Sequence, residues 1–159
     1  MSLLNKEPVK RAERALKEFD ETLSVTELES TARTAVDAPK SLNCEVGAIV
    51  KSLLFKNGDN FFLFLVSGDK RCSLNKLKKF FNSKDLSLAS ANDVKEQTGY
   101  TIGGVSPVGH KNSLQILVDS SLNRFKHLYA AAGHPNCIFK INFDDLIKIT
   151  NGSIEDVIE

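Results

Sequence analysis

The stretch Gly103-Gly104-Val105-Ser106-Pro107-Val108-Gly109-His110 is the first place in this sequence where chemistry could be concentrated. Three of the nine glycines and one of the four prolines fall between positions 103 and 109. Glycine reaches backbone angles that strain other residues, and without a Cβ it lets another group come up against the main chain. Pro107 fixes one bend. The stretch lies between a polar, helix-like segment, Ser90 to Thr98, and the apolar run Leu114 to Val118, so it joins elements inside a domain. Two readings are open: a loop whose bare amides meet a ligand, or a tight connection that meets none.

Lys51 is the second such place, in the otherwise apolar run Ala48-Ile49-Val50-Lys51-Ser52-Leu53-Leu54-Phe55. Strand alternation sets Lys51 on one face with Ile49, Leu53 and Phe55. An ammonium there is costly unless it lines a cleft with an anionic or carbonyl partner. The other reading is an edge-strand lysine that snorkels to solvent.

Other chemistries are excluded by their missing parts. Gly104 and Gly109 have the spacing of a phosphate-binding P-loop, but His110 stands at its lysine position and a strand-like run follows where a helix is required. His110, His127 and His134 have no metal-ligand spacing, no GxSxG elbow occurs, and no motif marks a cysteine as a nucleophile. Neither a metal nor a cofactor is expected. Cys44, Cys72 and Cys137 are odd in number and in no CxxC pair, so reduced side chains are expected.

The elements that must position these residues follow from patterning within 159 residues, the length of one domain. Val9 to Phe19 predicts an amphipathic helix with Ala12, Ala15, Leu16 and Phe19 on one face, packed on the domain as an N-terminal unit over residues 1–22. Leu23 to Leu28 predicts a short strand and Thr34 to Leu42 a helix. Ala48 to Phe55 and Phe61 to Val66, separated by a turn at Asn57-Gly58, predict a hairpin at the centre of the sheet. Ser73 opens a helix through Phe81, and Ser90 with Asp93 opens another that ends near Gly99. Leu114 to Val118, His127 to Ala131 and Cys137 to Ile141 predict strands, Asn142 caps a helix to Thr150, and residues 153–159 form a tail. The expected fold is a single compact α+β domain with a curved mixed sheet flanked by helices.

Lys and Arg number 21 against 20 for Asp and Glu, so the net charge of +1 supplies no general field for nucleic acid, and any such contact must be local. The longest apolar stretch is too short to span a membrane and the start of the chain is charged throughout, which makes a cytoplasmic protein the expectation. Without heptads, a monomer is expected.

Lys51-Ser52-Leu53-Leu54-Phe55, Ser67-Gly68-Asp69-Lys70-Arg71, Thr98-Gly99-Tyr100 leading into Gly103 to Gly109, Leu117-Val118-Asp119 and the Ala130 to Pro135 segment stand in one order. Together they resemble the YbaK/ProX family, aminoacyl-tRNA deacylases related to the editing insertion domain of bacterial prolyl-tRNA synthetases. The resemblance covers roughly Leu23 to Gly152, and so implies an editing domain over residues 23–152. It implies hydrolysis of the ester joining a wrong amino acid to the tRNA 3′ end, with aminoacyl-tRNA as partner and prolyl-tRNA synthetase as a second candidate partner. Lys51 takes the place of the family's essential lysine. Gly103, Gly104, Val105, Ser106, Pro107, Gly109 and His110 take the place of the wall against which the aminoacyl group and terminal adenosine sit.

Specificity is mixed in this comparison. Ser52 stands where alanine-clearing members have Asn and cysteine-clearing members Thr. Ala131-Ala132-Gly133 stands for the Ser-Gly-Gly of the cysteine type, and His134-Pro135 resembles the alanine type. Ser52, Ala131, Gly133 and His134 are therefore candidate substrate contacts, for small residues such as Ala, Cys, Ser, Thr or 2-aminobutyrate on tRNA-Pro or a similar tRNA. Lys70, Arg71, Lys76, Lys78 and Lys79 are candidate acceptor-stem contacts, or a solvated helix surface. The competing classes of function are a noncatalytic module for aminoacyl-tRNA 3′ ends or for docking to a synthetase, and a small-molecule binder unrelated to tRNA.

Overall fold

The computed structural model describes residues 2–28 and 42–159; the helix expected over Thr34 to Leu42 lies, apart from Leu42, outside them. The centre is the expected hairpin, β2 (Val50–Asn57) against β3 (Asn60–Ser67), in antiparallel register from Val50↔Ser67 to Asn57↔Asn60. The turn residues are Gly58 and Asp59, one position beyond Asn57-Gly58, because Asn57 closes the ladder with Asn60. The near-continuous apolar run of β3 reflects burial on both faces: Phe62, Phe64 and Val66 enter one core, and Leu63 and Leu65 the other.

Around the hairpin, β4 (Leu86–Leu88), β5 (Gln115–Asp119) and β8 (Ser153–Glu155) complete a mixed sheet of order β4-β2-β3-β5-β8, in which β5 runs parallel to β3 and β8 parallel to β5. A second, antiparallel sheet has the order β1-β7-β6, from β1 (Thr26–Glu27), β6 (Leu128–His134) and β7 (Cys137–Ile141). An isolated bridge, Ile49↔Tyr129, joins the two. The expected mixed sheet is thus present as two sheets hinged at that bridge.

Among the described residues four helices flank them, starting and stopping where local chemistry dictates. α1 (Glu7–Phe19) lies on β6 and buries Val9, Ala12 and Leu16; Phe19, expected on that face, is 39% exposed at the helix end. α2 (Leu74–Phe81) begins at Ser73, whose hydroxyl accepts the Lys76 N–H. α3 (Ala91–Thr98) begins at a reciprocal Ser90/Asp93 capping box and ends at Gly99 in the left-handed region. α4 (Phe143–Thr150) begins at Asn142, whose side chain accepts the Asp145 N–H.

Residues 153–159 are built into the fold. Beyond β8, Ser73 N donates to Val157 O at 2.7 Å, Glu159 N donates to Arg71 O at 2.9 Å, and Val157 is buried in the core beneath α2. At three residues each, β4 and β8 carry too short a pattern to read from sequence.

Candidate functional site

The glycine loop is held at both ends by groups far from it in sequence. Tyr100, fully buried, donates its hydroxyl to Val108 O at 2.8 Å, and burial pushes its phenol up to about 12. Arg11 on α1 lies 4.6 Å from the Tyr100 ring centroid and donates from Nε to Gly109 O at 2.8 Å. At the other end Gly104 N donates to Thr101 O, and Gly133 N on β6 donates to Gly104 O at 3.0 Å. A Cβ at Gly104 would stand 3.0 Å from His134 Cα and N. What the bare backbone approaches at Gly104 is therefore another backbone, β6. The amide of Gly104 is already committed inside the loop, so it is not one of the free amides the ligand reading called for. Gly104 through Val108 are buried, while Thr101, Ile102 and Gly103 are exposed.

The histidines are tied in as well. His110 lies mostly buried with Nε2 2.6 Å from Ser106 O. Burial pushes its pKa below the ordinary value, the Ser106 carbonyl opposing and Arg11 adding to the fall. The neutral ring that donates Nε2–H satisfies this geometry. His134 accepts the Asn136 N–H on Nδ1 at 3.0 Å and so closes the turn between β6 and β7; partial burial lowers its pKa.

Lys51 and Ser52 pair with β3 on one side of β2 and, among the described residues, with no strand on the other. The edge of β2 opposite β3 meets β6 only at Ile49 and β4 only from Phe55 onward. Among the described residues no strand pairs with Lys51 to Leu53 on that side. Alternation sends the two side chains to opposite faces. Ser52 lies with Val50 and Leu54, which share a core with Val105 and Val108 of the loop; Lys51 lies with Leu53 and Phe55, over the core beneath α2. A ligand that meets both the loop and Lys51 must therefore lie across the open edge of β2.

The Lys51 ammonium is half-buried and donates to Lys70 O at 2.6 Å. The Ser52 hydroxyl is the one buried side-chain nitrogen or oxygen among the described residues without a hydrogen-bond partner. Ser52 thus offers an unmet hydrogen bond on one face of the strand and Lys51 a cation on the other.

The family model of the aminoacyl-tRNA editing domain matches residues 29–149. The chain belongs to that family. The editing domain is 33% identical over 127 residues to YwhH of Bacillus subtilis (strain 168), with 79% of this chain and 80% of that protein covered. It is 35% identical over 95 residues to the proline–tRNA ligase of Thermosipho africanus (strain TCF52B), covering 60% of this chain and 17% of the ligase, so it spans under a fifth of that relative. A crystal structure described as a candidate trans-editing enzyme for prolyl-tRNA synthetase superposes with a TM-score of 0.92 at 35% identity, covering 97% of this chain and 98% of that one.

Within the editing domain, Ala131 and Gly133 lie on β6 beside the loop, Gly133 with φ +89° at the bulge between Ala131 and His134. Of the basic run, Lys76 is spent on Ile158 O at 2.8 Å and on Asp156 at 3.9 Å, Lys70 lends its carbonyl to Lys51, and Arg71 and Lys79 are exposed. All lie on or next to α2, on the side of the sheet toward which Lys51 points. No helix among the described residues is long and apolar enough to cross a membrane, and none of their His, Cys, Asp and Glu side chains cluster in threes as metal ligands would.

Sequence reasoning missed Arg124. It donates to both Asp69 oxygens, at 2.8 and 3.2 Å, and to Ser67 Oγ at 2.9 Å. The Arg124 hydrogen bonds, helped by Ser67, hold the Asp69 carboxyl down at about 2. Asp69 lay inside a motif, but nothing around Asn123-Arg124-Phe125 marks an arginine whose partner is 55 residues away.

Proposed function

We propose that this editing domain hydrolyses the ester between a mischarged small amino acid (Ala, Cys, Ser, Thr or 2-aminobutyrate) and the 3′ end of tRNA-Pro or a similar tRNA. The observation that carries the reading is the edge of β2 that no strand among the described residues covers, with the Lys51 ammonium and the Ser52 hydroxyl, unpartnered among those residues, on its two faces. An aminoacyl ester is already activated, so positioning, a polarised carbonyl and one admitted water suffice, and no protein nucleophile is needed. Lys51 uses one of its three donors on Lys70 O and has two left for the terminal phosphate, a ribose hydroxyl or the developing oxyanion. Ser52 is free to bond the aminoacyl group or the ribose. Water adds to the ester carbon, the bond to the ribose oxygen breaks, and that oxygen takes up a proton, releasing free amino acid and tRNA; the neighbouring ribose hydroxyl orients the water.

The likeness to a structure described as a candidate trans-editing enzyme for prolyl-tRNA synthetase supports a reading in which it meets tRNA released by, or still bound to, a separate synthetase. One methylene in a pocket discriminates by only about 1–3 kcal/mol, so tRNA contacts through Arg71 and Lys79 would add to selectivity.

A panel of mischarged tRNAs tests the reading. The expected outcome is release of a small amino acid by the native protein and its loss in Lys51→Ala, at unchanged melting temperature. A Lys51→Ala protein as fast as the native one would sink it, and tight binding of mischarged tRNA without release would favour the noncatalytic module.

A further inference from the structure

The carbonyl that holds Lys51 is itself held, and by a device out of proportion to an ordinary turn. Lys70 O belongs to the turn Ser67-Gly68-Asp69-Lys70, closed by Lys70 N donating to Ser67 O at 3.0 Å. At its root, Ser67 N donates to Oδ2 of the buried Asp119 at 3.0 Å, and that same carboxylate accepts from Ser121 N and Oγ. The Ser67 hydroxyl shares its one hydrogen between Gly47 O at 2.5 Å and Asp69 Oδ1 at 2.9 Å, and accepts from Arg124 Nη2. A Cβ on Gly68 would overlap Val46 O, so the turn sits directly on the segment that enters β2. Its outer side is closed by the fork of Arg124 on Asp69. Arg124 is fixed in turn by its own Nε–H to Ser121 O at 2.7 Å and by stacking at 4.8 Å on Phe125.

We propose that Asp69 and Arg124 are positioning residues: their ion pair locks the turn that presents Lys70 O, and so fixes the Lys51 ammonium at the open edge of β2. The inference rests on the reading of Lys51 as the working cation. A lysine side chain has four rotatable bonds and holds no fixed direction unless a partner is fixed first. Here the partner is a backbone carbonyl, and a carbonyl is only as rigid as its turn. The pair itself is about a third exposed, at 41% for the Arg124 side chain and 34% for Asp69, and half-exposed pairs add little to stability. Its removal should therefore disturb Lys51 far more than the fold, which makes the two effects separable. The Asp69 carboxyl, held low by Arg124, stays ionised throughout the pH range in which aminoacyl esters can be assayed.

The test measures steady-state deacylation of mischarged tRNA and, in the same proteins, the NMR signal of the Lys51 side-chain ammonium, which the bond to Lys70 O protects from exchange. In Asp69→Asn and Arg124→Gln the expected result is a fall in kcat on the order of 10- to 100-fold, KM within about twofold, and loss of that protection. Arg124→Lys, which keeps the charge without the fork, should recover part of both and serves if the other variants fold poorly. Unchanged kcat in the clamp variants, alongside a dead Lys51→Ala, overturns the clamp alone. A fall in kcat with the Lys51 signal still protected overturns it too, since the effect then runs by another route. A fully active Lys51→Ala overturns the reading of Lys51, and the clamp with it.

Discussion

Gly133→Ala should be among the most damaging single-methyl additions to this protein, and the reason lies in two places at once. Gly133 has φ +89°, in the left-handed region, where a residue with a Cβ carries about 1–2 kcal/mol of strain. Its Cβ would also stand 2.6 Å from Pro8 C and 2.7 Å from Pro8 O and Val9 N, all main-chain atoms of the first turn of α1. To restore an ordinary contact, α1 must retreat from β6 by about 0.8 Å, because no flexible side chain can swing away. Overpacking of that kind costs about 1–3 kcal/mol. The total of about 2–5 kcal/mol corresponds to a fall in melting temperature of about 5–15 °C in a chain of this length. Gly58→Ala is the control: its φ of +60° imposes similar strain, but a Cβ there meets nothing within 4 Å, so only the strain remains. Thermal and urea melts followed by circular dichroism decide the matter. If Gly133→Ala costs no more than Gly58→Ala, the close approach of α1 to β6 is not why glycine is needed. The same retreat would loosen the Gly133 N–H bond to Gly104 O, so the glycine loop should gain amide exchange in parallel.

Two further outcomes follow from the loop. Burial lowers the His110 pKa in the folded state, so the unfolded chain binds the proton more tightly; the contribution of His110 to stability is complete above the ordinary value of 6.5 and is lost as pH falls below it. His110→Gln should therefore flatten part of the drop in melting temperature between pH 7 and pH 5, and an unchanged pH profile would refute the assignment; His134 contributes in the same sense and keeps the remainder. Tyr100→Phe leaves the buried Val108 carbonyl without its donor and should cost about 1–3 kcal/mol in a urea melt, whereas a cost near zero would mean that the loop does not depend on that bond.

Much of the architecture was legible because its signals act over a few residues. Ser73, Ser90 with Asp93, and Asn142 each bond an amide three positions away, so the starts of α2, α3 and α4 can be read without knowing anything else about the chain. The hairpin is likewise local, with a shift of one position at its turn because the cross-strand pairing of Asn57 with Asn60 outweighs the preference for Asn-Gly. The ordered motifs around Lys51 and the glycine loop pointed to the family that the editing-domain match then established. Tail residues 153–159 and strand β4 escaped because their stability comes from sheet neighbours already in place, which no short pattern records.

By itself, then, the sequence determined the helix caps, the central hairpin, the family and the two residue groups worth watching. Only the tertiary structure decided what those groups face. Gly104 meets the backbone of β6; Lys51 and Ser52 point to opposite faces of a strand whose edge, among the described residues, has no partner strand between β6 and β4. Arg124 reaches across 55 positions to fix the turn that holds Lys51. A capping side chain or a turn glycine is chosen by angles within its own few residues. The partner of an ammonium, an orphaned hydroxyl or a bare glycine is chosen by how distant strands cross and which face each residue presents.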